Sequence, residues 1–310
     1  MSVLLLTHPS GLAHDTGPGH PERIARLRAV AGALAHPDFS GLMREEAPAA
    51  TEAELGRVHP QAYIDRVLGT RPEPGRFVHL DPDTVMSAGS AEAALHAAGG
   101  AIAAVDAVES GRATRAFVAT RPPGHHAEPA RSMGFCLFSN AAIAALHARA
   151  AHGRQRVAVV DFDVHHGNGT QAAAWEDADF FFGSSHQYPF YPGTGGAGER
   201  GAHGQIVNAP LAAGQGRAAF ETAWTGRILP ALDAFRPDSI IISAGFDAHR
   251  DDPLAQLMLD ADDFAWVTDA ILAVAARHTE GRVVSLLEGG YDLDALAAST
   301  ATHVRRLLAG

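Results

Sequence analysis

Ionisable side chains are concentrated in the segment VVDFDVHHGNG, residues 159–169, at the end of an apolar run. If residues 157–165 are extended, the two-residue period of a strand places Asp161, Asp163 and His165 on one side. Two carboxylates this close are costly to bury unless a cation neutralises them, and carboxylates with imidazole commonly bind divalent metals. A single aspartate here would more often cap the next helix. The D-x-D-x-H pattern instead predicts a metal site.

A third acidic ligand is predicted in the segment SAGFDAHRDDP. Asp247 follows the apolar run SIIISAGF just as Asp163 follows VAVVDF, and it can complete a ligand set with His165. Three protein ligands with one open position are typical of catalytic rather than structural zinc sites. Because the set is rich in oxygen, Fe²⁺, Mn²⁺ and Co²⁺ also suit it, and the donor types alone do not select the metal.

Two adjacent histidines, His125 and His126, stand in the segment TRPPGHHAEP behind a Pro-Pro-Gly turn. A pair of imidazoles can act as acid and base near neutral pH. In a chain with 18 histidines, an adjacent pair alone is weak support for catalysis. This pair, however, follows the apolar run RAFVAT, as the candidate metal ligands follow theirs. The pattern predicts that the loops meet.

The elements that must position these groups alternate along the chain. Short apolar runs predict strands at 3–7, 115–120, 157–163, 179–184, 239–245 and 283–290, and Ala-rich stretches predict helices at about 90–110, 139–152, 215–235, 261–279 and 293–308. This alternation predicts an α/β fold with a central, mainly parallel sheet and helices on both faces. No linker or repeat interrupts it, so we expect a single domain over residues 1–310.

Composition narrows the class of protein. Hydrophobic residues make up 46% and charged residues 19%, which is typical of globular proteins. A single cysteine, Cys136, excludes an internal disulfide, and the first residues lack the basic region of a signal peptide, so we expect a cytoplasmic protein. A net charge of -11 argues against nucleic-acid binding, and no apolar window approaches the ~18 residues of a membrane helix. Monomer and homodimer both remain open.

Six segments, in order along most of the chain, resemble the histone deacetylase family. This family of zinc amidohydrolases includes lysine deacetylases, acetylpolyamine amidohydrolases and acetoin-utilisation-type bacterial proteins. The segments are GHPERIARL, RPPGHHAEPARSMGFCLFSNAAIAA, VVDFDVHHGNGT, SSHQYPFYPGTG, SAGFDAHRDDPLAQL and LLEGGYDL. The resemblance implies the arginase/deacetylase fold, one Zn²⁺ per chain on Asp163, His165 and Asp247, and a structural K⁺ beside Asp161 and Ser184.

The same resemblance implies catalytic roles for the polar residues. His125 and His126 would lie beside a metal-bound water, oriented by Asp161 and Asn168 respectively, and Asn168 is typical of class II-like members. The charge of Asp161 should favour the imidazolium form of His125, whereas neutral Asn168 should leave His126 an unprotonated base. Tyr291 of EGGYDL matches the family tyrosine whose hydroxyl polarises the amide carbonyl.

The resemblance also implies a narrow substrate tunnel. Phe135 and Tyr191 match its aromatic walls, and Gly134 and Gly290 would let the backbone approach the substrate. Leu254 of DPLAQL stands where polyamine-specific relatives carry an acidic gatekeeper. The absence of that carboxylate favours an acetyl-lysine-like substrate.

Four further side chains allow more than one interpretation. Asp81 and Asp83 of LDPD, near the expected rim, keep a cationic acetylpolyamine open as substrate. Arg26 matches an arginine near the family's acetate-release cavity, but an ordinary salt bridge accounts for it equally well. His166 would lie on the opposite strand face from the metal ligands, so we expect it outside the catalytic set.

The function that the resemblance implies for these residues is that of a metal-dependent deacetylase, which removes acetyl or related acyl groups from lysine side chains or polyamines. In this reaction the metal promotes attack of water, and His126 acts as general base. Two alternatives are a deacylase of other small amides and a non-catalytic protein that binds acetylated ligands. An arginase-like ureohydrolase would instead need a dinuclear manganese set with D-x-H-x-D strings, which differ from the D-x-D-x-H found here.

Overall fold

The structure, a computed structural model, describes residues 2–309 and is built around an eight-stranded sheet. The strands are β1 (Val3–Thr7), β2 (Leu42–Glu46), β3 (Val78–Asp81), β4 (Thr84–Met86), β5 (Arg115–Val118), β6 (Val157–Asp161), β7 (Phe180–Gln187), β8 (Ile206–Leu211), β9 (Ser239–Ala244) and β10 (Val283–Leu287). The sheet order is β2-β1-β5-β10-β9-β6-β7-β8, and every pairing in it is parallel. β3 and β4 form a separate antiparallel hairpin.

Within residues 2–309, ten α-helices connect and cover the strands. They are α1 (Ile24–Leu34), α2 (Glu52–Leu55), α3 (Gln61–Gly69), α4 (Ser90–Glu109), α5 (Asn140–His152), α6 (Asn168–Ala174), α7 (Arg217–Ala223), α8 (Leu229–Phe235), α9 (Ala261–His278) and α10 (Leu293–Ala309). The first face of the sheet packs against α1, α8, α9 and α10, and the second against α4, α5 and α6. In β1, Leu5 is buried on the first face, whereas Leu4 and Leu6 are buried on the second. Burial on both faces explains the continuous apolar sequences of the strands.

The predicted fold class is confirmed, since the sheet is parallel and has helices on both faces. All six predicted strands are present, but five differ in their bounds. The strands predicted for 115–120, 157–163, 239–245 and 283–290 end earlier, at Val118, Asp161, Ala244 and Leu287, and the one predicted for 179–184 spans Phe180–Gln187. The sequence does not predict β2 and β8, the two edge strands. Their sequences, LMREE and IVNAPL, carry charged residues, asparagine or proline, which an edge strand tolerates because one side of it is unpaired.

The helix predicted for 215–235 is interrupted in the structure. A π-helical turn, Trp224–Ile228, joins α7 to α8, and within it the N–H of Leu229 donates to the carbonyl of Trp224. Pro230 follows at the start of α8. Proline has no backbone N–H to donate, and within a helix its ring clashes with the carbonyl of the residue four positions earlier. The wider turn accommodates the proline. Apolar spacing alone does not reveal this adjustment, so the pattern predicts one continuous helix.

Helix α4 has the length and hydropathy of a membrane-spanning helix, with a mean hydropathy of 1.2 over its apolar window. However, 72% of that window is buried inside the fold. The helix packs its small side chains against the second face of the sheet. Its apolar character is therefore explained by its place in the core.

The carboxyl ends of β5, β10, β9 and β6 lie side by side at the centre of the sheet. The loops that follow these strands carry the HH pair, the GGY segment, the DAH segment and the DVHH segment respectively. Parallel strands bring their carboxyl ends to one edge, so four segments distant in sequence converge there.

Candidate active site

The three predicted metal ligands converge at this edge. Asp163 and His165 lie in the loop after β6, and Asp247 lies in the loop after the neighbouring strand β9. Their candidate ligand atoms all lie within 4.8 Å of one another, and all three side chains are buried. Nδ1 of His165 is 3.2 Å from Oδ1 of Asp163 and 3.1 Å from Oδ2 of Asp247.

Gly289, in the loop after β10, packs directly against the carboxylates of Asp163 and Asp247. The N–H of Gly289 donates to Oδ2 of Asp163 at 2.8 Å. A Cβ atom at this glycine would lie 2.1 Å from Oδ2 of Asp247 and 2.6 Å from Oδ2 of Asp163. Any side chain at position 289 would therefore displace a carboxylate. The contact of Gly289 with these carboxylates depends on the register in which β10 pairs with β9, and the sequence does not reveal that register.

The charge balance of the cluster suits a cation. Burial, and then the charge of Asp163, raise the pKa of Asp247 to about 7. Burial opposes charge on His165, but hydrogen bonds to Asp163 and Asp247 raise its pKa to about 10. The two buried carboxylates thus lie against the imidazolium of His165, and Nε2 of His125 lies 3.8 Å from Oδ2 of Asp163. A divalent ion would neutralise both carboxylates and leave His165 as a neutral ligand, so the donor set fits such an ion.

The two adjacent histidines differ in their partners. Nδ1 of His125 is 3.0 Å from Oδ2 of Asp161, and Nδ1 of His126 is 2.8 Å from Oδ1 of Asn168. Burial disfavours charge on His125, but the carboxylates of Asp163 and Asp161 outweigh it and raise the pKa well above its ordinary value. Burial and the neighbouring charge of His125 lower the pKa of His126 well below its ordinary value. The pair therefore holds a proton on His125 and leaves His126 neutral.

The tautomer of His126 follows from the hydrogen bonds of Asn168. The amide nitrogen of Asn168 donates to Oε1 of Glu128 at 2.8 Å, so the amide oxygen faces His126. Because that oxygen can only accept, Nδ1 of His126 carries the hydrogen. Nε2 of a neutral His126 then has a free lone pair, as a general base requires.

Tyr291 lies in the loop after β10 and is 7% exposed. Its ring packs edge-on against Phe135, with centroids 5.8 Å apart, and the guanidinium of Arg26 lies 5.0 Å from its ring centroid. Burial and the charge of Asp247 raise the pKa of Tyr291 well above its ordinary value, so its hydroxyl remains a hydrogen-bond donor.

A cavity of about 190 Å³ opens from these groups to the surface. Four of the five residues predicted to bind substrate line it, namely Gly134, Phe135, Tyr191 and Leu254, together with Asp83, His126, His165, Phe190 and Tyr291. The fifth, Gly290, is not among the lining residues, and its carbonyl accepts from Nε of Arg26 at 2.5 Å. Gly134 has a φ of 56°, and a Cβ there would lie 2.2 Å from the His126 ring, so this position requires glycine.

Phe190 lines the cavity and lies against a predicted metal ligand. Phe190 stacks on His165, with centroids 5.6 Å apart and planes 18° apart. The sequence gives no sign of this role, because Phe190 stands in an irregular loop with two prolines.

The two acidic residues predicted near the rim differ in position. Asp83 lines the cavity and accepts from the N–H of Gly134 at 2.9 Å, whereas Asp81 pairs with Arg131 at 2.9 Å.

A buried carboxylate, Glu288, supports the histidine loop. Its Oε2 accepts from the N–H groups of Gly124 at 2.7 Å and His125 at 3.2 Å. Burial raises the pKa of Glu288 to about 7. Sequence reasoning overlooks Glu288 because it directly follows the apolar run VVSLL. A charged residue at the end of such a run is the signal that could have found it.

Arg26 forms an ion pair and also supports the loop after β10. It pairs with Glu22 at 2.9 Å, and Nη2 donates to the carbonyl of Glu288 at 2.5 Å. Glu22 also pairs with Arg121, which follows β5. The two arginines thus connect α1 to two of the loops at the site.

Two other predicted positions lie beside the cluster. His166 is buried and hydrogen-bonded to Thr194 at 2.8 Å and Gln171 at 3.0 Å, away from the cavity. Ser184 pairs in register with Asp161 across β6 and β7, and its hydroxyl is 2.8 Å from Nδ1 of His186.

Comparison of the sequence with known proteins and comparison of the fold with solved structures identify the same family. A sequence model of the histone deacetylase domain matches residues 20–307. The chain is 42% identical over 287 residues to a histone deacetylase-like amidohydrolase of Pseudomonas aeruginosa, covering 91% of this chain and 74% of that protein. It is 38% identical over 324 residues to the chloroplastic histone deacetylase 14 of Arabidopsis thaliana, covering 98% of this chain and 76% of the relative.

The fold agrees with a solved structure of the same family. The crystal structure of the HDA15 HD domain matches with a TM-score of 0.93 and 36% identity, covering 99% of this chain and 88% of that one. The names of these relatives support a deacetylase enzyme. The chain therefore belongs to the histone deacetylase family and has its arginase/deacetylase fold.

Proposed function

We propose that this protein is a zinc-dependent deacetylase that hydrolyses the amide of an acylated lysine side chain or polyamine. The observation that carries the proposal is the convergence of two groups at one cavity. A three-ligand cluster of two carboxylates and one imidazole lies beside two histidines whose pKa values are shifted in opposite directions. Groups with separated pKa values can act as base and acid in one reaction.

Asp163, His165 and Asp247 would hold one Zn²⁺, with Fe²⁺ or Co²⁺ as substitutes. When bound, such an ion supplies Lewis acidity and lowers the pKa of a water molecule to about 7. A structural K⁺ beside Asp161 and Ser184 is a separate proposal, which rests on the family resemblance.

Three side chains of the protein would transfer protons or donate hydrogen bonds in this reaction. Nε2 of neutral His126 accepts a proton from the attacking water, while Asn168 keeps the hydrogen of His126 on Nδ1. His125, held as an imidazolium by Asp161, can share in giving a proton to the leaving amine. The Tyr291 hydroxyl donates to the carbonyl oxygen as it gains negative charge, which stabilises the transition state.

The walls of the cavity favour a long aliphatic chain. Phe135, Phe190, Tyr191 and Leu254 present apolar surface along a cavity of about 190 Å³ that reaches the histidines. Such surface can enclose the methylene groups of lysine or a polyamine. Asp83 is the one carboxylate among the residues that line the cavity, and it can attract an ammonium group at the far end of a substrate.

The decisive experiment is a turnover panel of acetyl-lysine peptides, acetylpolyamines and small amides, with and without a chelator. We expect metal-replete protein to hydrolyse at least one class, and chelation to abolish that turnover. The His126→Ala variant should retain metal while losing most activity. If metal-replete protein turns over no acetamide but binds acetylated ligands, the enzyme assignment is rejected in favour of a binding role.

We also propose that the substrate reaches the enzyme in the cytoplasm, as a peptide or small molecule. The single cysteine, Cys136, is buried, which suits a reducing compartment.

A further inference from the structure

A second group of metal-binding side chains lies outside the candidate active site. Asp106 belongs to α4, and His147 and His152 belong to α5. One candidate ligand atom from each lies within 4.8 Å of the other two. Nε2 of His147 and Nε2 of His152 each lie 2.7 Å from the same oxygen, Oδ1 of Asp106.

This group is at the opposite edge of the sheet from the cavity. Helices α4 and α5 connect parallel strands and end shortly before β5 and β6, so their carboxyl-terminal ends lie beside the starts of those strands. The candidate active site is at the strands' carboxyl ends. The reaction proposed above therefore does not use Asp106, His147 or His152.

The hydrogen bonds within the group crowd one carboxylate oxygen. Each imidazole must place a hydrogen on Nε2 to donate to Oδ1 of Asp106. Burial raises the pKa of Asp106, but the hydrogen bonds from His147 and His152 outweigh it and lower the pKa below its ordinary value. The carboxylate is therefore ionised. A cation between the three side chains would instead use both imidazole lone pairs and the carboxylate charge at once.

The surroundings favour positive charge at this point. The group lies in the last turns of α4 and α5, where the helix dipole gives a partial negative charge. The nearby arginines are neutralised by their own partners, since Arg154 pairs with Glu109 at 2.5 Å and Arg149 pairs with Asp177. Little local positive charge opposes a metal ion.

The geometry needs only a small adjustment to bind an ion. Zinc–ligand bonds of about 2.0–2.1 Å in a tetrahedral site place ligand atoms about 3.3 Å apart, slightly more than the present contacts. The Asp106 and His152 side chains are 50% and 23% exposed, so they can move outward, and solvent can reach a fourth position. Nδ1 of buried His147 has no hydrogen-bond partner, so ligation at Nε2 would leave Nδ1–H unpaired. We expect an affinity about 10- to 100-fold below that of a fully supported site.

We propose that Asp106, His147 and His152 form a second site for one divalent transition-metal ion, with Zn²⁺ as the preferred ion and water as the fourth ligand. Two imidazoles and one carboxylate are a donor set that zinc and its neighbours bind. An ion held there would link the ends of α4 and α5. Since it would bind the folded state, it would also raise the melting temperature.

The test is a calorimetric titration of Zn²⁺ into chelator-treated protein, which measures how many equivalents of Zn²⁺ bind and how tightly. We expect two equivalents for the wild type, one tighter and one weaker, and loss of the weaker equivalent in His152→Ala. Asp106→Asn, which preserves the side-chain shape, should lose the same equivalent. Asp247→Asn should lose the tighter equivalent instead, so failure of the active-site assignment is distinguishable from failure of this one.

Two controls make the outcome decisive. His79→Ala removes an exposed histidine from the β3–β4 hairpin and should leave both equivalents. Added Zn²⁺ should raise the melting temperature of Asp247→Asn by several degrees but not that of the Asp247→Asn/His152→Ala double variant. Equal numbers of bound ions in the wild type and His152→Ala would overturn the proposal.

Discussion

The backbone N–H of Tyr291 donates a 2.7 Å hydrogen bond to Oδ2 of Asp252, which joins the loop after β10 to the loop after β9. The other oxygen of Asp252 accepts from the N–H of Leu254 at 3.0 Å, so the carboxylate is held on both sides. Asp252 is buried and is not among the residues that line the cavity. Its carboxylate therefore fixes the place of Tyr291 without facing the substrate.

Replacement of Asp252 by asparagine should impair turnover more than substrate binding. Both oxygens of Asp252 accept from backbone N–H groups, so an amide NH₂ would oppose one of these donors wherever it pointed. A shift of the Tyr291 hydroxyl by about 1 Å can cost on the order of 10²-fold in rate. We expect Asp252→Asn to lower kcat by about 10- to 100-fold with a small change in KM. Steady-state kinetics on the best substrate of the panel measures both.

A double-mutant cycle shows whether Asp252 acts by positioning Tyr291 or by stabilising the protein in general. In a Tyr291→Phe background the hydroxyl is already absent, so adding Asp252→Asn should lower kcat little further. If the two substitutions instead multiply their effects, Asp252 acts by a route other than Tyr291.

Removal of the Tyr291 hydroxyl should itself slow the chemical step. The Tyr291→Phe variant keeps the ring contact with Phe135 and loses only the donor to the carbonyl oxygen. We expect kcat to fall by roughly 10²–10³-fold, the usual effect of losing one oxyanion donor. Metal content should not change, because Tyr291 is not one of the three grouped metal ligands. Unchanged turnover would remove Tyr291 from the mechanism.

A methyl group at Gly289 should disrupt the metal site. Its Cβ would lie 2.1 Å from Oδ2 of Asp247, too close for the carboxylate to stay in place. We expect Gly289→Ala to weaken metal binding by on the order of 10²-fold and to lose activity in parallel. Gly32→Ala is the matched control, since a Cβ at Gly32 in α1 meets no atom within 4 Å. Metal binding of Gly289→Ala at wild-type strength would contradict the packing argument.

The sequence predicts the central strands and the convergence of four loops because both depend on local patterns. An apolar run defines each buried strand, and parallel strands bring the residues that follow them to one edge. Asp161 and Asn168 approach His125 and His126 in the structure for this reason.

The supporting carboxylates could not be predicted from the same patterns. Asp252, Glu288 and Glu22 are buried, and their partners are backbone N–H groups or arginines, mostly from distant segments. A backbone N–H has no sequence signature, so nothing local distinguishes Asp252 and Glu22 from ordinary loop residues, and Glu288 is marked only by the apolar run that it follows. Their roles become apparent only when the loops are seen together.

Acid should destabilise the fold partly through His303. Burial lowers the pKa of His303 to about 3, with its ring among Phe117, Phe162 and Phe246. The hydroxyl of Thr268 donates to the Phe264 carbonyl and so accepts from Nδ1–H, which leaves Nε2 to accept from the Ser285 hydroxyl. The ring is thus satisfied in its neutral form.

The sign of the pH effect follows from these values. Between the unfolded pKa of about 6.5 and the folded value of about 3, the unfolded state binds more protons at His303, so stability falls as pH decreases. The slope from this one group is about 1.4 kcal/mol per pH unit. In His303→Gln the free energy of unfolding by urea should therefore depend less steeply on pH between 6 and 4. An unchanged slope would show that other groups account for the acid sensitivity.

Substrate preference should respond to charge at Leu254, which lines the cavity and is partly exposed. In Leu254→Glu, a carboxylate would lie near the path of the substrate's ammonium groups. With about 1.4 kcal/mol of attraction at a solvated rim, we expect kcat/KM for acetylpolyamines to rise about tenfold relative to a neutral acetamide. Leu254→Gln, which has a similar size without the charge, should not show this change. Because the effect is electrostatic, it should shrink at high ionic strength, and a preference that does not depend on salt would point to shape instead.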